Sequence, residues 1–291
     1  MTFVNIVILA IVQGLAELLP VSSSAHVVVA EKLLGLDPTS PAMTLLLVML
    51  HTGTMFAVIV YFWRSWRDTY FRSMADFQKI AVRIIVASAV TAVIGYGLIK
   101  LIEATVFAGR PHAEIEDLFG HLEFIAPALA LVGILILVAG LAERRGATGG
   151  HETAHNDGDP SLAQAGVIGA VQGLCLPFRG FSRSGATIST GMLLGVAKVR
   201  AEAFSFALAV VLTPPAVLRE VLRLVHAERT GAGGLGSVAG LSVLGAFIAF
   251  LAGLVALKWL SGWLERGRWY LFGIYCLVAS GVVYYLHTAG Y

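Results

Sequence analysis

Charge is what this 291-residue chain has least of. Asp, Glu, Lys and Arg make up 13% of it, about half the share of an ordinary soluble domain. With 57% hydrophobic residues and a mean hydropathy of +0.82, the chain needs lipid as its solvent. Its net charge of +2 is too small, and its apolar runs are too long, for a nucleic-acid surface. Cysteine is nearly absent. Cys175 and Cys276 stand far apart in apolar surroundings, which excludes a disulfide framework and a thiolate metal site at any usual spacing. No Lys or Arg precedes Lys32, so the apolar run from Phe3 to Leu19 lacks the basic flank of a secretory signal. Gln13 and Glu17 interrupt that run, and the cleavage-like residues ending at Ala25 do not make it a leader.

Long apolar stretches, by contrast, are plentiful. A helix crosses the hydrocarbon core with roughly 20 apolar residues, and six stretches meet that length: Pro41 to Phe62, Ile80 to Leu101, Phe124 to Ala142, Phe204 to Leu224, Leu241 to Leu260, and Trp269 to Leu286. Aromatic residues including Tyr61, Trp63, Trp66, Trp259, Trp263 and Tyr270 gather near their ends, as interfacial anchors do.

Two further apolar regions are broken near the middle. Phe3 to Leu19 is followed by Pro20 to Ser24 and a short arm to Leu36; Leu162 to Leu176 is followed by Pro177 to Ser184 and a short arm to Val196. Arms of about 12 residues are too short to span. Each region therefore predicts a re-entrant helical hairpin, whose irregular turn must be buried in protein or line a wet cavity. The two regions also repeat each other. Val12-Gln-Gly-Leu15 recurs as Val171-Gln-Gly-Leu174, and Ser22 to Ser24 recurs, shifted by one residue, as Ser182-Arg-Ser184. The fold class is all-α integral membrane, with two inverted-topology repeats, each a re-entrant hairpin plus three transmembrane helices. The first repeat covers residues 1–145 with its hairpin at 3–36. A polar linker covers 146–160, and the second repeat covers 161–291 with its hairpin at 162–197.

Arg64, Arg67, Arg72, Lys79 and Arg83 place the loop after the first full span in the cytoplasm. Glu114, Glu116 and Asp117 place the following loop outside. Arg219, Arg223 and Arg229 run against this assignment.

The chemistry concentrates in the hairpins. Gln13 and Glu17, four residues apart, share a helix face, and an ionisable residue at membrane depth costs roughly 3 kcal/mol on insertion scales, which makes Glu17 a functional candidate. Ser22, Ser23 and Ser24 lie just before His26. One of these hydroxyls serves as a helix N-cap; three, with Glu17 and His26 nearby, exceed what a cap requires, and the helix N-terminus favours an anion. In the second hairpin, Ser182, Ser184 and Thr187 supply hydroxyls, Gly180 and Gly185 permit close backbone approach, and Arg183 offers a planar fork matched to phosphate oxygens. A set composed of donors calls for an acceptor-rich anion such as phosphate.

Gln13 to His26 and Gly180 to Thr187, together with His51-Thr-Gly-Thr54 and Phe204-Ser-Phe206, resemble the bacterial undecaprenyl-diphosphate phosphatases associated with bacitracin resistance. The resemblance covers nearly the whole chain. It implies hydrolysis of a C55 polyprenyl diphosphate to the monophosphate and inorganic phosphate, at the external side of the bacterial cytoplasmic membrane, with a divalent cation. Carried onto this sequence, Glu17 and Gln13 hold Mg²⁺ or Ca²⁺, and Ser22, Ser182, Arg183, Ser184, Gly185 and Thr187 bind phosphate. Glu17, Ser23, His26 and Arg183 are the catalytic set, His26 as general acid or base and Ser23 as nucleophile or positioning hydroxyl. The family's acid-x-x-x-acid motif has Gln13 first here, and the proline before its second motif is Arg179. The partners implied are the lipid substrate and the membrane, no nucleic acid, and a homodimer as one open assembly. The alternative class is a flippase for a phosphorylated lipid, because interrupted helices also serve alternating access.

Overall fold

The short helices begin where a hydroxyl can satisfy their first backbone donors. In the computed structural model, which describes residues 2–37, 40–106, 121–148, 158–229 and 235–290, α1 (Phe3–Leu18) starts at Thr2, whose side chain accepts from the Asn5 amide. Ser22 caps α2 (Ser23–Leu33). Ser161 caps α6 (Leu162–Leu174) through a reciprocal box with Gln164, and Ser182 caps α7 (Arg183–Leu193). These four helices form the two hairpins that the broken apolar regions predict.

Six longer helices complete the described chain: α3 (Pro41–Tyr70), α4 (Met74–Val106), α5 (Leu122–Thr148), α8 (Lys198–Arg229), α9 (Leu235–Glu265) and α10 (Trp269–Thr288). All six are long and apolar enough to cross a membrane, and the chain is a multi-pass membrane protein. Each contains one of the spans read from the sequence. Most extend past it, because helix geometry continues through polar interfacial residues that a hydropathy count leaves out. The residues expected to make the acidic outer loop, Glu114, Glu116 and Asp117, lie outside the described residues, as does most of the linker.

Membrane helices gain little from apolar burial against one another, so close packing through small residues holds them together. Helices α5 and α10 meet at Gly133 and Gly273; a Cβ at Gly273 would stand 2.6 Å from the Leu137 amide nitrogen. The hairpins are clasped by the opposite halves of the chain. Helix α1 packs on α9, and α6 packs on α4, so each entering arm lies against the second long helix of the other half. The glycine of the repeated Gln-Gly pair sits at each contact, Gly14 against Ala249 and Gly173 against Thr91. This exchange brings the two hairpin turns together in the interior.

Candidate active site

Two hydroxyls tie the hairpin turns to each other. Ser24 Oγ accepts from the Gly180 amide at 3.3 Å, and Ser184 Oγ donates to the Leu19 carbonyl at 3.3 Å. Gly180 is required there. Its φ is +100°, and an added Cβ would stand 2.5 Å from the Ile125 carbonyl oxygen. On the first hairpin the positive φ falls on a non-glycine residue, Ser22, at +68°. Such a backbone costs of order 1–3 kcal/mol and persists only where surroundings fix it. Here the Ser22 side chain accepts from Ala25 N–H, and its carbonyl accepts from the His26 amide and is bonded to His26 Nδ1 at 2.8 Å.

Between the turns lies a cavity of about 280 Å³, lined by Gln13, Glu17, Ser22, Ser23, Ser24, His51, Arg179, Ser182, Arg183 and Ser184 among others. Glu17 is its hub. One carboxylate oxygen accepts from Arg183 Nη2 at 3.0 Å; the other accepts from Ser23 Oγ at 2.6 Å and from Gln13 Nε2 at 3.1 Å, with His51 Nε2 3.7 Å away. Both members of the ion pair are mostly buried, with side-chain exposures of 22% and 17%. Arg183 Nη1 is buried with no hydrogen-bond partner. An unpaired guanidinium nitrogen inside a protein is expensive, and an incoming anion would relieve it.

The structure thus brings Gln13, Glu17, Ser22, Ser23, Ser182, Arg183 and Ser184 into one place. It does not bring all the predicted residues there. Thr187 is 1% exposed, and its hydroxyl is spent on the Arg183 carbonyl at 2.8 Å and on Ser205 Oγ at 2.6 Å. The Gly185 amide donates to Ser182 Oγ as part of the cap. His26 is not among the residues lining the cavity: Nδ1 is bonded to the Ser22 carbonyl, and Nε2 meets Tyr275 Oη at 2.7 Å with the two rings stacked.

The chain matches the family described as Bacitracin resistance protein BacA over residues 6–282. The chain belongs to that family. A BacA-type relative from Acinetobacter baylyi, called undecaprenyl-diphosphatase 2, is 55% identical with 97% of each chain covered. Relatives called undecaprenyl-diphosphatase from Desulfosudis oleivorans and Parabacteroides distasonis are 34% and 32% identical, with 96% of this chain and 97% and 96% of theirs covered.

Within this BacA-type site stand two side chains to which the motifs assigned no role. His51 reaches the cavity from α3, and its Nδ1 is bonded to the Leu47 carbonyl at 2.8 Å, which turns Nε2 toward Glu17. The sequence placed His51 in a motif without a reason for it. Tyr275 arrives from α10, nearly 250 residues from His26, and no local pattern could have paired them.

Proposed function

We infer that this chain is an undecaprenyl-diphosphate phosphatase, which releases inorganic phosphate from the C55 diphosphate carrier lipid and returns the monophosphate. Recycling the carrier supports peptidoglycan synthesis, and it underlies the bacitracin resistance for which the family is named. The observation that carries this reading is the 3.0 Å contact between Glu17 and Arg183 across the two hairpins, with one guanidinium nitrogen still buried and unpartnered beside it. Phosphoryl transfer depends mainly on positioning and on neutralising charge, and a guanidinium held in place by Glu17 between the two hairpins supplies both.

In this reading Arg183 and Ser182 hold the terminal phosphoryl group, while Ser184, whose one proton goes to the Leu19 carbonyl, keeps the two turns together. Ser23 Oγ, already hydrogen-bonded to Glu17, attacks the phosphorus as its proton passes to the carboxylate, and the bond to the bridging oxygen breaks with the lipid monophosphate leaving. Water then releases phosphate from the serine. His26 handles a proton only after Nε2 leaves Tyr275, so Tyr275→Phe should alter the rate far less than His26→Ala.

Among the described residues no three His, Cys, Asp or Glu side chains converge as a metal cage. The oxygen donors of Glu17 and Gln13 do suit a hard cation of the Mg²⁺ or Ca²⁺ kind, shared with substrate oxygens rather than enclosed by protein. When bound, such an ion would add positive charge next to the phosphoryl oxygens.

The site opens toward the external face of the bacterial cytoplasmic membrane. His51 lies ten residues from Pro41, about 15 Å of helix rise, and nineteen from Tyr70, about 28 Å. The Tyr70 end is the basic one, flanked by Arg64, Arg67 and Arg72, and basic loops stay inside.

The test is phosphate release from undecaprenyl diphosphate by detergent-purified protein, with and without chelator, alongside rapid-quench trapping of a phosphoserine. Release that depends on Glu17 and Arg183 is expected. A pure protein that binds the lipid but frees no phosphate under either condition would end the reading.

A further inference from the structure

Among the side chains lining the cavity, Glu17 stands against two guanidiniums, Arg179 and Arg183, which leaves one positive charge in excess. Glu17 and Arg183 neutralise each other, and a diphosphate headgroup carries more negative charge than that pair alone can meet. Arg179 lines the same cavity. It sits within a turn closed by the Phe181 amide bonding to the Phe178 carbonyl at 3.1 Å. The next residue, Gly180, is held to the first hairpin by Ser24. These two hydrogen bonds fix the backbone on either side of Arg179.

A second observation points the same way. Glu31 is 1% exposed and its Oε1 has no hydrogen-bond partner; burial pushes its carboxyl up to about 7, and the Arg179 charge pulls the other way. A carboxylate is rarely buried so fully without a cation nearby. Ser23, Val27 and Glu31 recur every four residues, so they share one face of α2. That face begins at Ser23 and Val27 in the cavity wall and continues to Glu31 beyond it. A guanidinium has five donors on a rigid plane, so one edge can face a carboxylate while another faces a phosphate.

We propose that Arg179, steadied by Glu31 across the hairpin interface, is the second cation of the site and holds the lipid-linked phosphoryl group of a diphosphate. Resting on the phosphatase reading above, this assigns Arg183 to the terminal phosphoryl group that passes to Ser23 and Arg179 to the one that departs with the lipid. The site then prefers a diphosphate to a monophosphate headgroup, and cleavage itself weakens binding, because the two phosphoryl groups no longer form one ligand.

The experiment compares wild type with Arg179→Gln, Arg179→Lys and Glu31→Gln in the phosphate-release assay, adding inorganic pyrophosphate or inorganic phosphate as inhibitor. Arg179→Gln should raise KM for undecaprenyl diphosphate about tenfold with kcat within twofold. It should weaken pyrophosphate inhibition by a similar factor and leave phosphate inhibition unchanged. Arg179→Lys and Glu31→Gln should fall between, which keeps the test intact even where Arg179→Gln folds poorly. An active wild type whose KM and pyrophosphate inhibition are untouched by Arg179→Gln overturns the proposal. So does a variant that loses phosphate and pyrophosphate inhibition equally. An inactive wild type instead overturns the phosphatase reading itself, while pyrophosphate binding by calorimetry would still report on Arg179.

Discussion

The two hairpins are built alike and charged differently. Each enters on a short helix carrying Val-Gln-Gly-Leu, turns through a proline-containing break, and leaves on a helix capped by serine. Four residues after the glutamine, the first hairpin has Glu17 where the second has Leu176. In the middle of the serine cluster, the first has Ser23 where the second has Arg183. Those two differences place a carboxylate on one turn and a guanidinium on the other, 3.0 Å apart. Two hairpins of like build bring like parts together, and a site that polarises a phosphoryl group needs unlike ones. The glutamines show the same divergence. Gln13 donates to Glu17 in the cavity, whereas Gln172 is buried and donates to Thr91 of α4.

Removing the charge difference should have the largest effect. Arg183→Ala is expected to lower kcat/KM by about 10³-fold or more and also to lower thermal stability, because stripping one partner from a buried pair costs roughly 3–5 kcal/mol. Adding Glu17→Gln should recover much of the melting temperature and none of the phosphate release. A double variant as unstable as the single one would mean that the pair is not what the turn depends on.

The positive-φ positions come next. Gly180→Ala should destabilise the protein by about 1–3 kcal/mol, visible as earlier thermal unfolding in detergent, since the backbone conformation and the Ile125 carbonyl both oppose a Cβ. Ser22→Gly exchanges a cap for relief of the same kind of backbone strain, so its stability should stay within about 1 kcal/mol of wild type. Equal losses at the two positions would show that the turns are held by different forces.

The paired glutamines give a smaller contrast. Gln13→Leu should slow phosphate release about tenfold, the scale of one charge-assisted hydrogen bond. Gln172→Leu should leave kcat and KM unchanged. Thr187→Val sits at the bottom of the scale. It strands the Ser205 hydroxyl at about 1–2 kcal/mol of stability, while KM for the lipid stays at the wild-type value; a raised KM would return Thr187 to the phosphate site.

Much of this arrangement could be read from the residues alone. Apolar length gave the six crossing helices, and the breaks at Pro20 and Pro177 gave the hairpins. A costly acid and base in apolar surroundings marked Glu17 and Arg183, because composition and local spacing carry that information. Which hydroxyls and rings face the cavity could not be read the same way. Ser184 and Thr187 are three apart on one helix, yet one reaches the opposing turn and the other is consumed by Ser205 on α8. His26 is drawn to Tyr275 on the last helix, and His51 enters from α3.

Sequence determined that this chain is a membrane protein with two broken hairpins and one residue of each charge sign poised in them, since hydrophobic run length and the expense of intramembrane charge are properties of the chain itself. Only the tertiary structure decided that α1 seats on α9 and α6 on α4. That exchange brings Glu17, Ser23 and Arg183 within hydrogen-bonding reach, because the direction of a side chain is set by the neighbours it packs against.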